Sequence, residues 1–186
     1  MLDKNKNKIS SNNAGFTLVE LLVSIFIIAL ISAVFMVNYH NTNKRSELKM
    51  AAQKLASDIR LAQNYSLGSK TYDGATTPSG GWGVHFSLAD STHYIIFADK
   101  DAPNGNQVYN SGEAIETKNL PAGVTISSLE VAGAPVNSVD IVFFPPDPTT
   151  YVNTSIFTSA QINLRENINN STTAVTVNFF GLIDAE

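Results

Sequence analysis

Ala14-Gly15-Phe16-Thr17-Leu18-Val19-Glu20-Leu21-Leu22-Val23-Ser24 is the stretch on which the reading of this chain turns. From Phe16 to Val37 the residues are almost wholly apolar, and Glu20 is the only charge among them. A run of about twenty apolar residues is long enough to cross a bilayer as a helix. A carboxylate inside such a run is costly and marks function by default. An ordinary secretory signal carries its apolar region ahead of the cut and loses it. Here the small-residue junction comes first, so a cut after Gly15 leaves the apolar helix on the mature chain. The plain alternative, an uncleaved N-terminal anchor, gives no reason for Glu20 to follow Gly15-Phe16. The leader is basic, with Lys4, Lys6 and Lys8 against Asp3, which places it on the cytoplasmic side.

Working outward, the helix is expected to continue past the membrane. Leu48, Ala51, Ala52, Leu55, Ile59 and Ala62 recur at three- and four-residue spacing. Lys44, Arg45, Glu47, Lys49, Lys54, Asp58 and Arg60 mostly fall between them, so this half is amphipathic and its apolar stripe should pack on a sheet. No proline interrupts Phe16 to Leu67; Asn38 to Asn43 is the weakest stretch and a candidate bend, and Gly68 is the expected C-cap. The organisation expected is a leader over 1–15, an apolar membrane-spanning helix over 16–37, an amphipathic helix over 38–68, and a β-rich head over 69–186.

Past Gly68 the pattern turns to short β-type runs: Gly83 to Ser87, His93 to Ala98, Ala114 to Leu120, Val124 to Leu129, Val139 to Phe143, Gln161 to Leu164 and Ala174 to Phe179. In the last, Val175, Val177 and Phe179 should face one way and Thr176 and Asn178 the other. Turn residues separate the runs: Pro78-Ser79-Gly80-Gly81, Asn104-Gly105, Pro121-Ala122-Gly123, Pro145-Pro146-Asp147-Pro148 and Asn169-Asn170. The fold class is α+β, one long helix followed by an antiparallel sheet folded into two packed layers.

The chain has 186 residues and no cysteine, so disulfides, thiolate metal sites and cysteine nucleophiles are excluded. Its formal charge is −4; the leader carries +2, so the mature 171 residues carry −6. An acidic surface offers no general attraction for nucleic acid.

The junction resembles the signal of type IV prepilins and type II secretion pseudopilins. That resemblance implies cleavage between Gly15 and Phe16 by prepilin peptidase, N-methylation of Phe16, and Glu20 as the register-setting fifth residue of the mature chain. Ala14 departs from the basic residue common before the glycine. The helix end from Leu55 to Ser66, Gly81-Trp82-Gly83-Val84-His85-Phe86, Tyr94 to Asp99, Gly112-Glu113, Leu120 to Val124 and Phe180-Gly181 together resemble the GspH/FimT minor-pilin family. This implies a pilin-like fold, insertion in the inner membrane with the head outside the cytoplasm, an inner-membrane assembly platform and other pilin subunits as partners, and a place at or near a fibre tip. DNA-binding relatives in that family carry a basic Gly-Arg-x-Arg element near the C-terminus. Here Gly181-Leu182-Ile183-Asp184-Ala185-Glu186 stands instead, and Arg165 is the only basic residue after Lys118. No nucleic acid is expected as a partner.

Glu20 is read as pairing its carboxylate with the protonated amine of Phe16 on a neighbouring subunit, a strong interaction in a low-dielectric membrane. Otherwise it lies near the headgroups, solvated. Asp99, Asp101, Asn104 and Glu113 supply the oxygen donors of a calcium loop. Their spacing misses the EF-hand pattern, and a polar hairpin loop turned by Asn104-Gly105 is the preferred reading. A calcium titration that leaves the melting temperature unchanged disposes of the site. His40, His85 and His93 are isolated, and His85 and His93 are expected to be structural; Trp82 is expected to be a packing anchor. No motif of a nucleophile, a metalloprotease, a P-loop or a dinucleotide fold occurs, so neither an enzyme nor a cofactor is expected. The expectation is an assembly subunit of a type II secretion pseudopilus or type IV pilus. A binding module at the tip, for DNA, a surface or a secreted cargo, is the alternative; a basic surface patch would favour it, whereas a cleft with converging histidines and carboxylates would favour an anchored enzyme.

Overall fold

A computed structural model describes residues 15–146, 149–156 and 158–186, with the side chains of residues 37–42 outside the description. The leader before Gly15, Asp147 and Pro148 of the proline-rich turn, and the His40 side chain therefore lie outside the described residues. Among the described residues the elements are one α-helix, α1 (Leu18–Leu67), a short 3-10 turn and ten strands. The chain divides into two units at His40 and Asn41.

In the first unit, Leu18–Met36 is long and apolar enough to cross a membrane, with a mean hydropathy of 2.8 and no side chain buried within the protein. Leu18, Ile25, Phe26, Ile28, Val34 and Phe35 all stand exposed around the helix. A helix apolar all round fits lipid rather than one flank of a globular core. The backbone remains helical over Asn38–Asn43, the stretch expected to be weakest.

In the second unit, the amphipathic half of α1 buries Leu48, Ala51, Ala52, Leu55, Ala56, Ile59 and Ala62, the expected stripe with Ala56 added. Asp58 departs from expectation. It is buried, because Tyr94 donates its hydroxyl to Asp58 Oδ2 at 2.6 Å and Lys54 reaches the same oxygen at 3.2 Å. Burial first, then the hydrogen bond and charge of Asp58, push the Tyr94 phenol far above its ordinary range.

The helix ends in a Schellman turn: Ser69 N–H donates to Ser66 O and Lys70 N–H to Tyr65 O. Gly68 is the cap residue, but Ser69 takes the left-handed conformation, at φ 47°. That conformation costs an L-residue about 1–2 kcal/mol, against roughly 0.5–1 kcal/mol of extra chain entropy for glycine. Ser69→Gly is thus expected to stabilise the head by about 0.5–1 kcal/mol, read as a higher urea midpoint at unchanged slope.

The strands are β1 (Gly81–Ser87), β2 (His93–Asp99), β3 (Ala114–Asn119), β4 (Val124–Val131), β5 (Ala134–Val136), β6 (Ser138–Phe144), β7 (Thr149–Val152), β8 (Ala160–Glu166), β9 (Thr172–Val177) and β10 (Ile183–Ala185). They form two five-stranded antiparallel sheets, ordered β3-β2-β1-β6-β7 and β10-β9-β8-β4-β5. The core joins the helix stripe to Trp82, Val84, Phe86, Ile96 and Ile141 of one sheet and Ile126, Leu129, Ile162, Leu164 and Val175 of the other. Ile126 and Leu129 both face inward, three residues apart, because the β4–β8 register shifts between Ile126 and Ser128. Trp82 is the anchor expected of it: it is buried, donates Nε1–H to Lys70 O at 3.0 Å and meets Tyr65 edge-on at 5.0 Å.

One facing assignment is overturned. Val175 and Val177 are buried, but Phe179 is 40% exposed and outside the strand. The Asn178 side chain accepts from Phe180 N–H and Leu182 N–H, each at 3.0 Å, and so turns the chain after Val177.

Candidate functional site

The N-terminal junction is built from the helix start. Gly15 is exposed and Phe16 is 77% exposed, so the peptide bond between them is accessible. Helix α1 begins at Leu18, and Thr17 caps it: Glu20 N–H donates to Thr17 Oγ1 at 3.2 Å and Leu21 N–H to Thr17 O at 3.1 Å. Thr17 and Glu20 have the spacing of a capping box. The carboxylate sits in the first turn, where the helix dipole favours negative charge. Glu20 is exposed, and Ser24 Oγ donates to its main-chain carbonyl at 2.7 Å. The Thr17 cap was not singled out in the sequence, although Thr-x-x-Glu ahead of an apolar run signals it.

In the head, the hairpin β2–β3 carries a long loop over 100–113. Oxygens of Asp99, Asp101 and Glu113 lie within 4.8 Å of one another. These are the residues that could hold a hard divalent cation. Backbone donors already occupy two of them. Asp99 accepts from Asp101 N–H at 3.2 Å, Asn106 N–H at 3.0 Å and Gln107 N–H at 2.7 Å. Glu113 accepts from Lys100 N–H at 2.9 Å and Asn110 N–H at 2.8 Å. Asp101 accepts from the Asn110 amide at 2.8 Å. The Asn104 main-chain carbonyl accepts from the Gln107 amide at 3.0 Å, an exposed bond within the loop. Burial raises the Asp99 carboxyl above its usual range despite those backbone bonds, and Asp101 adds to the rise. Glu113 is raised likewise, by burial first and by the charges of Asp99 and Asp101.

The two strand histidines, isolated in sequence, come together in space. His85 and His93 line one cavity with Ser87, Asp90, Tyr94 and Ile95. His85 Nδ1 meets Asp140 Oδ1 at 2.7 Å, and His93 Nδ1 meets Asp90 Oδ1 at 3.0 Å. His85 and Asp140 are direct partners across β1 and β6, a pairing that register alone creates. The His85 ring also lies 4.7 Å from that of Tyr109. A serine, a histidine and an aspartate in one place invite comparison with a hydrolytic triad, which needs the serine hydroxyl on the imidazole. Among the described residues Ser87 Oγ makes no such bond; it accepts from Ala89 N–H at 3.2 Å as the cap of the short 3-10 turn Leu88–Asp90.

The C-terminal segment lacks positive charge. Among the described residues from Asn119 onward, Arg165 is the one cation, and the turn before β10 exposes Phe180 and Leu182 instead.

Residues 10–36 match the family model of the prokaryotic N-terminal methylation motif, which takes in the Gly15-Phe16 junction, Glu20 and nearly all of the apolar span. No curated protein and no solved structure matches the chain. The one apolar helix of membrane-spanning length among the described residues, together with the motif, fits a protein anchored in the inner membrane. The motif marks the chain as a type IV pilin-like precursor, processed by prepilin peptidase and assembled with other pilins.

Proposed function

We propose that this chain is a minor pilin or pseudopilin of the GspH/FimT type, acting at or near the tip of a type II secretion pseudopilus or type IV pilus. It waits in the inner membrane with its head outside the cytoplasm, is cut between Gly15 and Phe16, is methylated on Phe16, and is drawn by an inner-membrane assembly platform into the fibre. The observation that carries this reading is the methylation motif over residues 10–36, with an exposed Gly15-Phe16 bond and Glu20 in the first turn of a helix apolar all round. The head serves assembly rather than catalysis. In support, Ser87 is spent as a turn cap, and among the described residues no imidazole is bonded to its hydroxyl. Nucleic acid is not a partner on this reading, given the acidic tail of Asp184 and Glu186.

The deciding experiment is the mass of the mature N-terminus after co-expression with a prepilin peptidase. A chain beginning at Phe16 with one added methyl is the expected result. An intact Met1, or a cut beyond Val37, would remove the filament reading and leave an anchored or secreted β domain.

A further inference from the structure

The cavity beside β1 and β2 has a volume of about 100 Å³, room for an ion with a few waters. Two observations define what it can bind. First, both histidines use the same ring nitrogen: Nδ1 of each faces a carboxylate oxygen, at 2.7 Å for Asp140 and 3.0 Å for Asp90. An ionised carboxylate only accepts, so in the His85–Asp140 hydrogen bond it is Nδ1 that donates, and a carboxylate beside His93 Nδ1 favours the same tautomer there. In the neutral ring the lone pair is then on Nε2, and among the described residues no hydrogen bond engages either Nε2. Second, the strands set the two rings on one face. His85 pairs with Ile95, and His93 lies two positions along β2 from Ile95, on the same side of the sheet. Diagonal cross-strand neighbours stand roughly 7–8 Å apart, within reach of two imidazoles meeting at one ion about 2.0–2.1 Å from each nitrogen.

A histidine whose second nitrogen donates to a carboxylate is the usual arrangement around a protein-bound metal, because the carboxylate fixes the tautomer, aims the ring and raises its basicity. Here His85 and Asp140 make that arrangement, and beside the same cavity His93 Nδ1 has Asp90 Oδ1 at 3.0 Å as an ion-pair contact. Asp140 is held in turn, its backbone N–H donating to Asn153 Oδ1 at 2.8 Å, so the orienting residue is itself positioned. Imidazole nitrogens select zinc, copper and nickel over calcium and magnesium. We propose that His85 and His93 form a transition-metal site, taking a zinc-class divalent ion on their two Nε2 atoms with water completing the coordination. The ion would clip β1 to β2 beside the 3-10 turn. It differs in chemistry and place from the carboxylate cluster of Asp99, Asp101 and Glu113.

The test uses the full chain in detergent micelles, stripped with a chelator and then given Zn²⁺ or Cu²⁺. Stoichiometric Zn²⁺ is expected to raise the melting temperature by several degrees, and bound Cu²⁺ to show nitrogen hyperfine structure in its electron paramagnetic resonance spectrum. His93→Gln should abolish both effects with an unchanged circular dichroism spectrum, and His85→Gln should do the same where it folds. His40→Gln and Asp101→Asn should retain them. A Cu²⁺ spectrum without nitrogen coupling, or a Zn²⁺ shift that survives His93→Gln, overturns the proposal.

Discussion

Glu20→Ala is expected to be cut after Gly15 and inserted in the membrane normally, yet to be almost absent from sheared or pelleted fibres. Glu20 lies in the first turn of a helix whose span Leu18–Met36 carries no other charge, so once that helix leaves the headgroups its charge needs a partner. The cut creates one: the new amine of Phe16, carried by every mature subunit. Two unit charges about 4 Å apart attract by roughly 4 kcal/mol at an effective dielectric constant near 20, on the order of a thousandfold in a subunit's partition into the fibre. A competing role is local. As the third residue of a helix capped by Thr17, Glu20 also steadies the helix start, an effect of about 0.3–1 kcal/mol. Glu20→Gln separates the two, because it keeps the capping-box spacing and removes the charge. Failure of both variants to enter fibres, with processing intact, is the expected outcome. Normal entry of Glu20→Gln would reduce the residue to a helix cap and remove the register role.

What could be read in advance followed from periodicity. The stripe Leu48–Ala62 and the seven longer β-runs show regular apolar spacing, and each became a helix face or a strand within a few residues of its expected bounds. The three strands that escaped notice are β5, β7 and β10, each at an outer edge of its sheet and three or four residues long. Such segments are too short for alternation to show, and β5 carries Pro135, which an edge tolerates and a central strand does not. Asp58 read as a solvent-facing charge because its partner, Tyr94, lies 36 residues away. The histidines failed to show as a group for the same reason. His85 meets Asp140 only through β1–β6 register, and His93 joins them only through the β1–β2 hairpin. Of the carboxylate loop, the residues were visible but not their use: Asp99, Asp101 and Glu113 do converge, while spacing gave no hint that main-chain N–H groups would fill Asp99 and Glu113.

Those N–H groups make Asp99→Ala the most damaging single change expected in the head. Asp99 is fully buried, and its carboxylate gathers three backbone donors from the 100–113 loop. The approach is close enough that a Cβ at Gly80 or Gly105 would collide with that carboxylate, and Gly105 also sits at φ 75°. Water cannot readily replace the lost oxygens, and each buried donor left unpaired costs about 1–3 kcal/mol. A loss of roughly 3–5 kcal/mol is expected, a large share of the stability of so modest a domain. Asp99→Asn keeps one accepting oxygen and should lose less. The ionised cluster itself is not free of cost. Burial and mutual repulsion raise the folded-state values of Asp99 and Glu113 above their ordinary 3.8 and 4.5. A carboxyl raised on folding binds its proton more tightly in the folded chain, so its favourable contribution is complete below the unfolded value and fades as pH climbs through the folded one. Asp101, the least buried of the three, adds to both rises. Asp101→Asn, which keeps an oxygen for the Asn110 amide, is therefore expected to stabilise the head at pH 7 by a few tenths to about 1 kcal/mol, and to give no gain once the pH falls below about 4. Urea melts of the parent and Asp101→Asn at pH 7 and below about pH 4 would read this directly. A gain from Asp101→Asn that persists in acid would show that something other than charge within the cluster is at work.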